Sequence, residues 1–288
     1  MPLNLDAVGR TAGPHETAWT ARDVLLYALG VGAGQEDPLS ELQFTTENSR
    51  DVVQQALPTF GVVITQRSAP WLLLGDVNRT MLVHAEQALV LHRPLPVEGR
   101  ASVTTRLAGI YDKGSGALVI TEAIAADAVT GQPLLTTTSS AFVRGEGGFG
   151  GDRGPSSLWE RPGRAPDVRA SAVTRPDQAL LYRLSGDRNP LHSDPAFAAD
   201  AGFARPILHG LCTYGFSGRL LLHALCGSNP ERFRAMRARF TRPVMPGTRL
   251  TVSAWVDGDT ALFQTSDESG AVVMDRGELT FGRRARWD

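Results

Sequence analysis

The amino-acid sequence predicts an α+β fold built from two related halves, each an antiparallel sheet around a long helix. Three observations support this prediction: a buried helix at residues 207–226, a β-rich stretch at residues 84–143, and a segment of the first half that recurs in the second. At 288 residues the chain is long enough for two repeats of about 140 residues each.

The first half begins with a predicted helix at residues 17–30, where apolar side chains recur at helical spacing. The glycines that end it, in YALGVGAG, do not indicate a nucleotide-binding loop, because they follow a helix and leave the dinucleotide fingerprint incomplete. Phe60, Val62 and Ile64 then alternate with smaller or polar residues, which predicts a strand. A second helix is predicted at roughly residues 70–82.

The longest β-rich stretch follows at residues 84–143. Apolar residues alternate on both sides of DKGSG at residues 112–116, and this turn sequence predicts a hairpin of an antiparallel sheet. The alternating residues are Ala101, Val103 and Leu107 before the turn, and Leu118, Ile120 and Ile124 after it.

Residues 145–157 are rich in glycine, which is typical of a linker. We therefore expect an N-terminal half at residues 1–145, a linker at 146–170 and a C-terminal half at 171–288. The C-terminal half again has a helix before its strands. These strands are predicted at residues 250–256, 260–266 and 271–281.

A turn-rich segment opens the second half and holds its most reactive side chains. Asp187, Asn189 and His192 lie among Gly186 and Pro190, a mixture that forms neither a regular helix nor a strand. Proline favours extended geometry in the residue before it, so the bent path can bring the acid and the imidazole face to face. The same residue types also form turns for local reasons alone.

The helix at residues 207–226 comes next. It is apolar nearly all round, which predicts burial, and Gly227 is a natural stop. Cys212 and Cys226 lie too far apart on this helix to form a disulfide with each other, so we expect two buried, reduced thiols.

Two segments of the first half recur in the second, which indicates an internal duplication. The first is HRPLPVEGRASV at residues 92–103, which matches TRPVMPGTRLTV at 241–252. The second is DVLLYALGVG, which aligns with QALLYRLSGD so that Tyr27 is opposite Tyr182 and Gly32 is opposite Asp187. Because the first half lacks an aligned acid and histidine, only the second half should be catalytic.

The overall charge and hydropathy exclude several classes of protein. The formal net charge is -1 and no basic stripe is present, so nucleic acid is not an expected partner. No apolar run approaches the ~20 residues that span a bilayer, and the N-terminus lacks a secretion signal. The C-terminal ARWD is not a peroxisomal address. We therefore expect a cytoplasmic protein without membrane contact.

These motifs resemble those of the MaoC-like, type 2 (R-specific) enoyl-CoA hydratases, and particularly the hydratase part of peroxisomal multifunctional enzymes of type 2. The resemblance rests on residues 182–227 and covers nearly the whole chain. It implies a double hot-dog fold and a homodimer. The further matching motifs are YALGVGAG, LPTFGVVI, His84 with Glu86 and Gln87, DKGSG, and GGFGG.

The resemblance implies a hydro-lyase that interconverts trans-2-enoyl-CoA and (3R)-3-hydroxyacyl-CoA without a cofactor. In such a site Asp187 and His192 would activate the water and pass the proton, Asn189 would help to orient them, and the backbone N–H of Gly210 would be the oxyanion donor. No metal is expected, because the spacing of the acids and His192 matches no known coordination pattern.

The oxyanion role of Gly210 requires a free N–H, so the helix should begin near His209 rather than at the preceding proline.

Four further residues, His209, Glu47, His84 and Glu86, are weaker candidates. His209 either lines the pocket or satisfies a hydrogen bond near the start of the helix. Glu47, His84 and Glu86 either face the acyl or pantetheine channel or form buried structural ion pairs.

Two alternatives remain open. The first is a hot-dog dehydratase that acts on acyl-carrier-protein thioesters or on branched or steroid-derived thioesters. The second, from another class, is a non-enzymatic acyl-CoA binding module. Asp187 with His192 favours an enzyme, since a binding module does not need an acid and a base at this spacing.

Overall fold

The computed structural model describes residues 3–66, 74–75, 77, 81–156 and 158–282. The strands in these residues are β1 (Thr11–Trp19), β2 (Leu82–Leu91), β3 (Gly99–Asp112), β4 (Gly116–Asp127), β5 (Pro133–Arg144), β6 (Val168–Val173), β7 (Phe233–Phe240), β8 (Arg249–Asp257), β9 (Thr260–Ser266) and β10 (Val272–Phe281). The α-helices are α1 (Ala21–Gly30), α2 (Leu42–Thr45), α3 (Gly61–Gln66), α4 (Gln178–Tyr182), α5 (Pro195–Asp200) and α6 (Gly210–Cys226).

All ten of these strands form one antiparallel sheet in the order β1-β3-β4-β5-β2-β7-β10-β9-β8-β6. Strands β1 to β5 of the first half correspond to β6 to β10 of the second. Exchanging each strand with its counterpart gives the same order read from the opposite edge of the sheet. The two halves meet where β2 pairs with β7, with Ala88 opposite Arg237. This symmetry confirms the α+β prediction and agrees with the duplication inferred from the sequence.

Helix α6 forms the centre of the second half. Every residue from 211 to 222 is buried, and the helix packs against β6, β7 and β8. It begins at Gly210, slightly later than predicted, and ends at Gly227, which adopts the left-handed conformation that glycine favours (φ 63°). Cys212 and Cys226 are buried and free, as predicted.

The first predicted helix is shorter than the sequence indicates. Its first residues, up to Trp19, belong to β1, and α1 begins only at Ala21. The backbone N–H of Thr20 donates to the carboxylate of Asp23 at 2.8 Å, so a side chain in the first turn fixes where the helix starts.

The strand predicted around Phe60 is wrong. Residues 58–60 form a 3-10 turn that runs directly into α3, and residues 61–65 are all buried. A short apolar run buried on all sides has no periodicity that separates a strand from a helix. The helix predicted at roughly 70–82 lies mostly outside the described residues, and its last position, Leu82, begins β2.

The predicted hairpin at residues 112–116 is confirmed, since β3 ends at Asp112 and β4 begins at Gly116. The Asp112 carboxylate accepts backbone N–H groups from Gly148 (2.9 Å) and Gly150 (2.7 Å), which ties the glycine-rich segment to this hairpin. Beyond that segment, β6 begins at Val168, inside the range expected to be a linker. None of the helices in the described residues is long and apolar enough to cross a membrane.

A buried ion cluster joins the two halves near the C-terminal end of α6. The Arg219 guanidinium lies 2.8 Å from the Glu41 carboxylate, and their side chains are only 8% and 13% exposed. The second Glu41 oxygen contacts His223 Nε2 at 2.6 Å, and the Gly34 N–H donates to the carboxylate at 2.9 Å. Burial alone would raise the pKa of Glu41, but the His223 hydrogen bond and the Arg219 charge lower it to about 2.

Candidate active site

The loop after α4 holds Asp187 in a fixed backbone path. Gly186 adopts φ 142°, a conformation that residues with a side chain rarely adopt, and so turns the chain into this loop. The Asn189 N–H donates to Asp187 Oδ1 at 3.1 Å, and Asn189 Oδ1 in turn accepts the Leu191 N–H at 3.1 Å. The exposed Asn189 therefore stabilises the loop that carries the carboxylate.

His192 is buried behind this loop and is held by a backbone carbonyl. Its Nδ1 lies 2.9 Å from the Ile207 oxygen, which can only accept, so Nδ1 carries the proton and Nε2 keeps its lone pair. Burial lowers the pKa of His192, while the Ile207 bond and the charge of Asp187 oppose that shift. The imidazole is thus a neutral base at pH 7.

His209 lies directly against His192. The two rings stack with centroids 3.7 Å apart and an interplanar angle of 29°. His209 Nε2 lies 3.2 Å from the Asp187 carbonyl oxygen, and its Nδ1 is buried without a hydrogen-bond partner among the described residues. Burial, followed by the neighbouring His192, lowers the pKa of His209 to about 3, so this ring is also neutral.

Gly210 is the first residue of α6, so its N–H has no acceptor within the helix, and no described residue supplies one. A Cβ placed on Gly210 would lie 3.4–3.6 Å from the Phe240 ring. The same ring lies 4.9 Å from the His84 ring, centroid to centroid. One free N–H therefore lies beside Phe240, with His84 of the first half nearby.

The remaining sequence candidates, His84, Glu86 and Glu47, belong to the first half. His84 is half-buried, its Nε2 contacts the Glu86 carbonyl at 3.0 Å, and burial lowers its pKa to about 4, although the charge of Asp187 opposes the shift. Glu86 is exposed on β2 opposite Arg239. Glu47 is exposed after α2, and no hydrogen bond or ion pair among the described residues involves it. The acid–base and oxyanion roles remain predictions.

The geometry disfavours a metal ion, although Asp187, His192 and His209 each offer a donor atom within 4.8 Å of the others. An imidazole binds a metal in its ring plane, at about 2.0–2.1 Å from the nitrogen. Because the His192 and His209 rings are stacked, an ion shared between them could not lie in both ring planes. The cluster fits proton transfer better than coordination.

Among the described residues of the first half, no equivalent cluster of acids and histidines is present. Gly32, the residue aligned with Asp187, adopts φ 82°, and a Cβ added there would lie 2.5 Å from the Phe216 ring. The space that an acidic side chain would need is filled by α6. The sequence did not identify the Ile207 carbonyl as a neighbour of His192 or the Phe240 ring as a neighbour of Gly210, because neither residue type signals such a contact.

Comparisons with known proteins agree with this fold. Residues 18–145 match the MFE-2 hydratase 2 N-terminal domain, and residues 158–276 match the MaoC like domain. The chain is 45% identical to 3-hydroxyacyl-thioester dehydratase Y of Mycobacterium tuberculosis, over 98% of this chain and 99% of that protein. It is 44% identical to enoyl-CoA hydratase ChsH3 of the same organism, over 97% and 99%.

Comparison with solved structures identifies the same group of MaoC-like proteins. A MaoC-like dehydratase from Phytophthora capsici superposes with a TM-score of 0.84 at 34% identity, covering 98% of both chains. A Mycobacterium tuberculosis protein with a double hot-dog fold has a TM-score of 0.57 at 14% identity, over 95% of this chain and 96% of that one. The fold is therefore a double hot-dog, and Asp187, His192 and His209 cluster in its second half. The chain belongs to the MaoC-like family, in its hydratase 2 branch.

Proposed function

We propose that the protein hydrates trans-2-enoyl-CoA reversibly to (3R)-3-hydroxyacyl-CoA, with Asp187 and His192 as the acid–base pair. The observation that carries this proposal is the unprotonated Nε2 of a buried, neutral His192 beside the Asp187 loop, next to a helix that begins with a free N–H. The names of the two mycobacterial relatives describe opposite directions of one reaction, which supports reversibility.

The proposed reaction follows from these groups. A water held between His192 Nε2 and the Asp187 carboxylate loses one proton to the pair as its oxygen bonds to C3 of the enoyl thioester. The electrons of the double bond move toward the thioester oxygen, where the Gly210 N–H stabilises the negative charge. The pair then delivers the proton to C2, the thioester carbonyl is restored, and the enzyme returns to its starting state.

The direct test is a hydration assay with crotonyl-CoA and trans-2-decenoyl-CoA. We expect the ultraviolet absorbance of the enoyl thioester to fall on addition of the protein, and the product to be oxidised by an R-specific 3-hydroxyacyl-CoA dehydrogenase. Comparing the two chain lengths measures how long an acyl chain the site accepts. Efficient coupling to an S-specific dehydrogenase would contradict the proposal, as would binding without any loss of absorbance.

Replacing Gly210 with alanine tests the oxyanion role separately from folding. The Phe240 ring leaves ordinary van der Waals room for a Cβ, and Gly210 does not adopt a positive φ, so Gly210→Ala should fold. Alanine favours the helix by up to about 1 kcal/mol, so thermal stability should be equal or higher. We expect kcat/KM to fall about 10- to 100-fold, because the methyl group displaces the thioester from the N–H. Full activity in a stable variant would remove Gly210 from the mechanism.

We further propose that the protein binds its substrate as a CoA thioester, works in the cytoplasm and assembles as a homodimer. The CoA thioester is supported by the relative named an enoyl-CoA hydratase. The other two statements remain predictions from the sequence and the family resemblance.

A further inference from the structure

The proposed reaction gives no role to the buried His209 ring. His209 is 1% exposed, and it occupies the N-cap position of α6, yet its side chain makes no capping hydrogen bond. Serine, threonine, aspartate and asparagine are the side chains that cap a helix well. Stabilising the start of α6 therefore does not explain a histidine at this position.

The ring of His209 instead contacts the loop that carries the acid–base pair. One face stacks on His192 at 3.7 Å, and Nε2–H donates to the Asp187 carbonyl at 3.2 Å. Tyr182 supports the ring from another side, with centroids 5.0 Å apart. The His209 ring thus contacts both the His192 ring and the Asp187 backbone. His209 is also the residue directly before Gly210, the proposed oxyanion donor.

We propose that His209 is a positioning residue of this site: it holds the ring plane of His192 and the backbone of Asp187 in a fixed relation to the Gly210 N–H. This inference rests on the proposed function. His209 does not exchange a proton with the substrate, because its only bare nitrogen, Nδ1, is buried. Its contribution is to keep three reacting groups at the distances that hydration requires.

The stacked ring also controls the solvation of His192. While His209 covers one face, water cannot surround the imidazole, and its charged form stays unfavourable. The charged and titratable groups that face His209 are His192, Asp187 and Arg183, and Tyr182 packs on its ring. Asp187 favours a positive charge on His209, whereas His192 and Arg183 oppose it.

Two variants separate the two contacts of the ring. His209→Gln keeps an N–H near the position of Nε2 but loses the flat stacked face, so water reaches His192. We expect the acidic limb of the kcat/KM profile to move up by about one pH unit, toward the ordinary value of histidine. His209→Phe keeps a flat face and loses the donor. The His209→Phe variant should leave the acidic limb of the kcat/KM profile unchanged. It should lower kcat about 10- to 100-fold, with a smaller change in KM.

Ser217→Ala is the matched control. Ser217 is buried in α6, and its hydroxyl bonds the Thr213 carbonyl and the Thr265 hydroxyl, away from the loop. This variant should lower the melting temperature without moving the pH profile. If Ser217→Ala reproduced the kinetic changes, or if both His209 variants kept wild-type kcat and pH profile, the positioning role would be wrong.

Imidazole NMR spectra test the inference without any turnover. In the wild-type protein we expect the proton of His192 on Nδ1 and that of His209 on Nε2, and His192 should titrate at higher pH in His209→Gln than in the wild type. The opposite tautomer of His209 in the wild type, or an unmoved titration, would overturn the proposal. A protein that showed these NMR features but hydrated no enoyl thioester would contradict the proposed function and leave the coupling of the two rings established.

Discussion

Asp187→Asn and His192→Asn should each lower kcat/KM by about 10²- to 10⁴-fold, the range that general acid–base groups contribute. Both variants should fold. An asparagine at position 187 still accepts the Asn189 N–H, and one at position 192 still places an amide N–H near the Ile207 carbonyl. Each variant removes the group that exchanges a proton and keeps the local hydrogen bond. The double variant should lose less than the product of the two effects, because both groups act on one water.

Asp194→Asn is the control for these variants. Asp194 lies in the same turn-rich stretch, and its carboxylate accepts the N–H groups of Ala196 and Phe197 at the start of α5. Asparagine serves equally well as an N-cap, so stability and turnover should stay near wild type. Steady-state hydration of crotonyl-CoA and a thermal melt by circular dichroism measure both quantities. Near-normal turnover by Asp187→Asn or His192→Asn would exclude that residue from the chemistry and leave it a role in the turn.

Glu41→Gln should lower the free energy of unfolding by about 3–5 kcal/mol at pH 7, which is the usual effect of leaving a buried charge without its partner. Arg219 would keep its charge in a site where its side chain is 8% exposed. Replacing Arg219 with methionine in the Glu41→Gln background removes that charge and should recover part of the loss. Urea unfolding followed by circular dichroism gives the three free energies.

Glu278→Gln is the same substitution in an exposed pair. Glu278 on β10 bonds Arg237 on β7, where both side chains are more than one third exposed, and the expected loss is about 0–1 kcal/mol. The pH dependence gives a second test. Because folding lowers the pKa of Glu41 from 4.5 to about 2, its contribution is complete above pH 4.5 and is lost as the pH falls toward 2. The difference between wild type and Glu41→Gln should therefore shrink below pH 4.5, and a constant difference would contradict the ion-pair explanation.

The parts of the fold that the sequence predicted well are long and periodic. Helix α6 has apolar residues all round and a glycine stop, and the hairpin at residues 112–116 has a turn sequence between alternating strands. Strand β1 was missed because only Thr17 and Trp19 are buried in it, so its sequence shows little alternation. Residues 60–64 were assigned to a strand because a short run that is buried on all sides fits either structure.

The site was predictable only where its groups are close in sequence. Asp187 and His192 belong to one turn, so local backbone preferences bring them together. Phe240 and His84 lie together beside Gly210 only because β7 pairs with β2 in the finished sheet. The stack of His209 on His192 likewise depends on how the start of α6 packs against the loop, which no local pattern encodes.

The pairing of β2 with β7 also determines how the protein responds to dilution. In a sheet assembled from two separate chains, the central pair of strands forms only above the dissociation constant, so the site would be lost at low concentration. Here both strands belong to one polypeptide, and their encounter is governed by the effective concentration that the connecting segment imposes. Either half made alone would expose a long unpaired strand, the kind of edge that recruits other chains into aggregates. The covalent link thus makes the pairing of β2 with β7 independent of protein concentration.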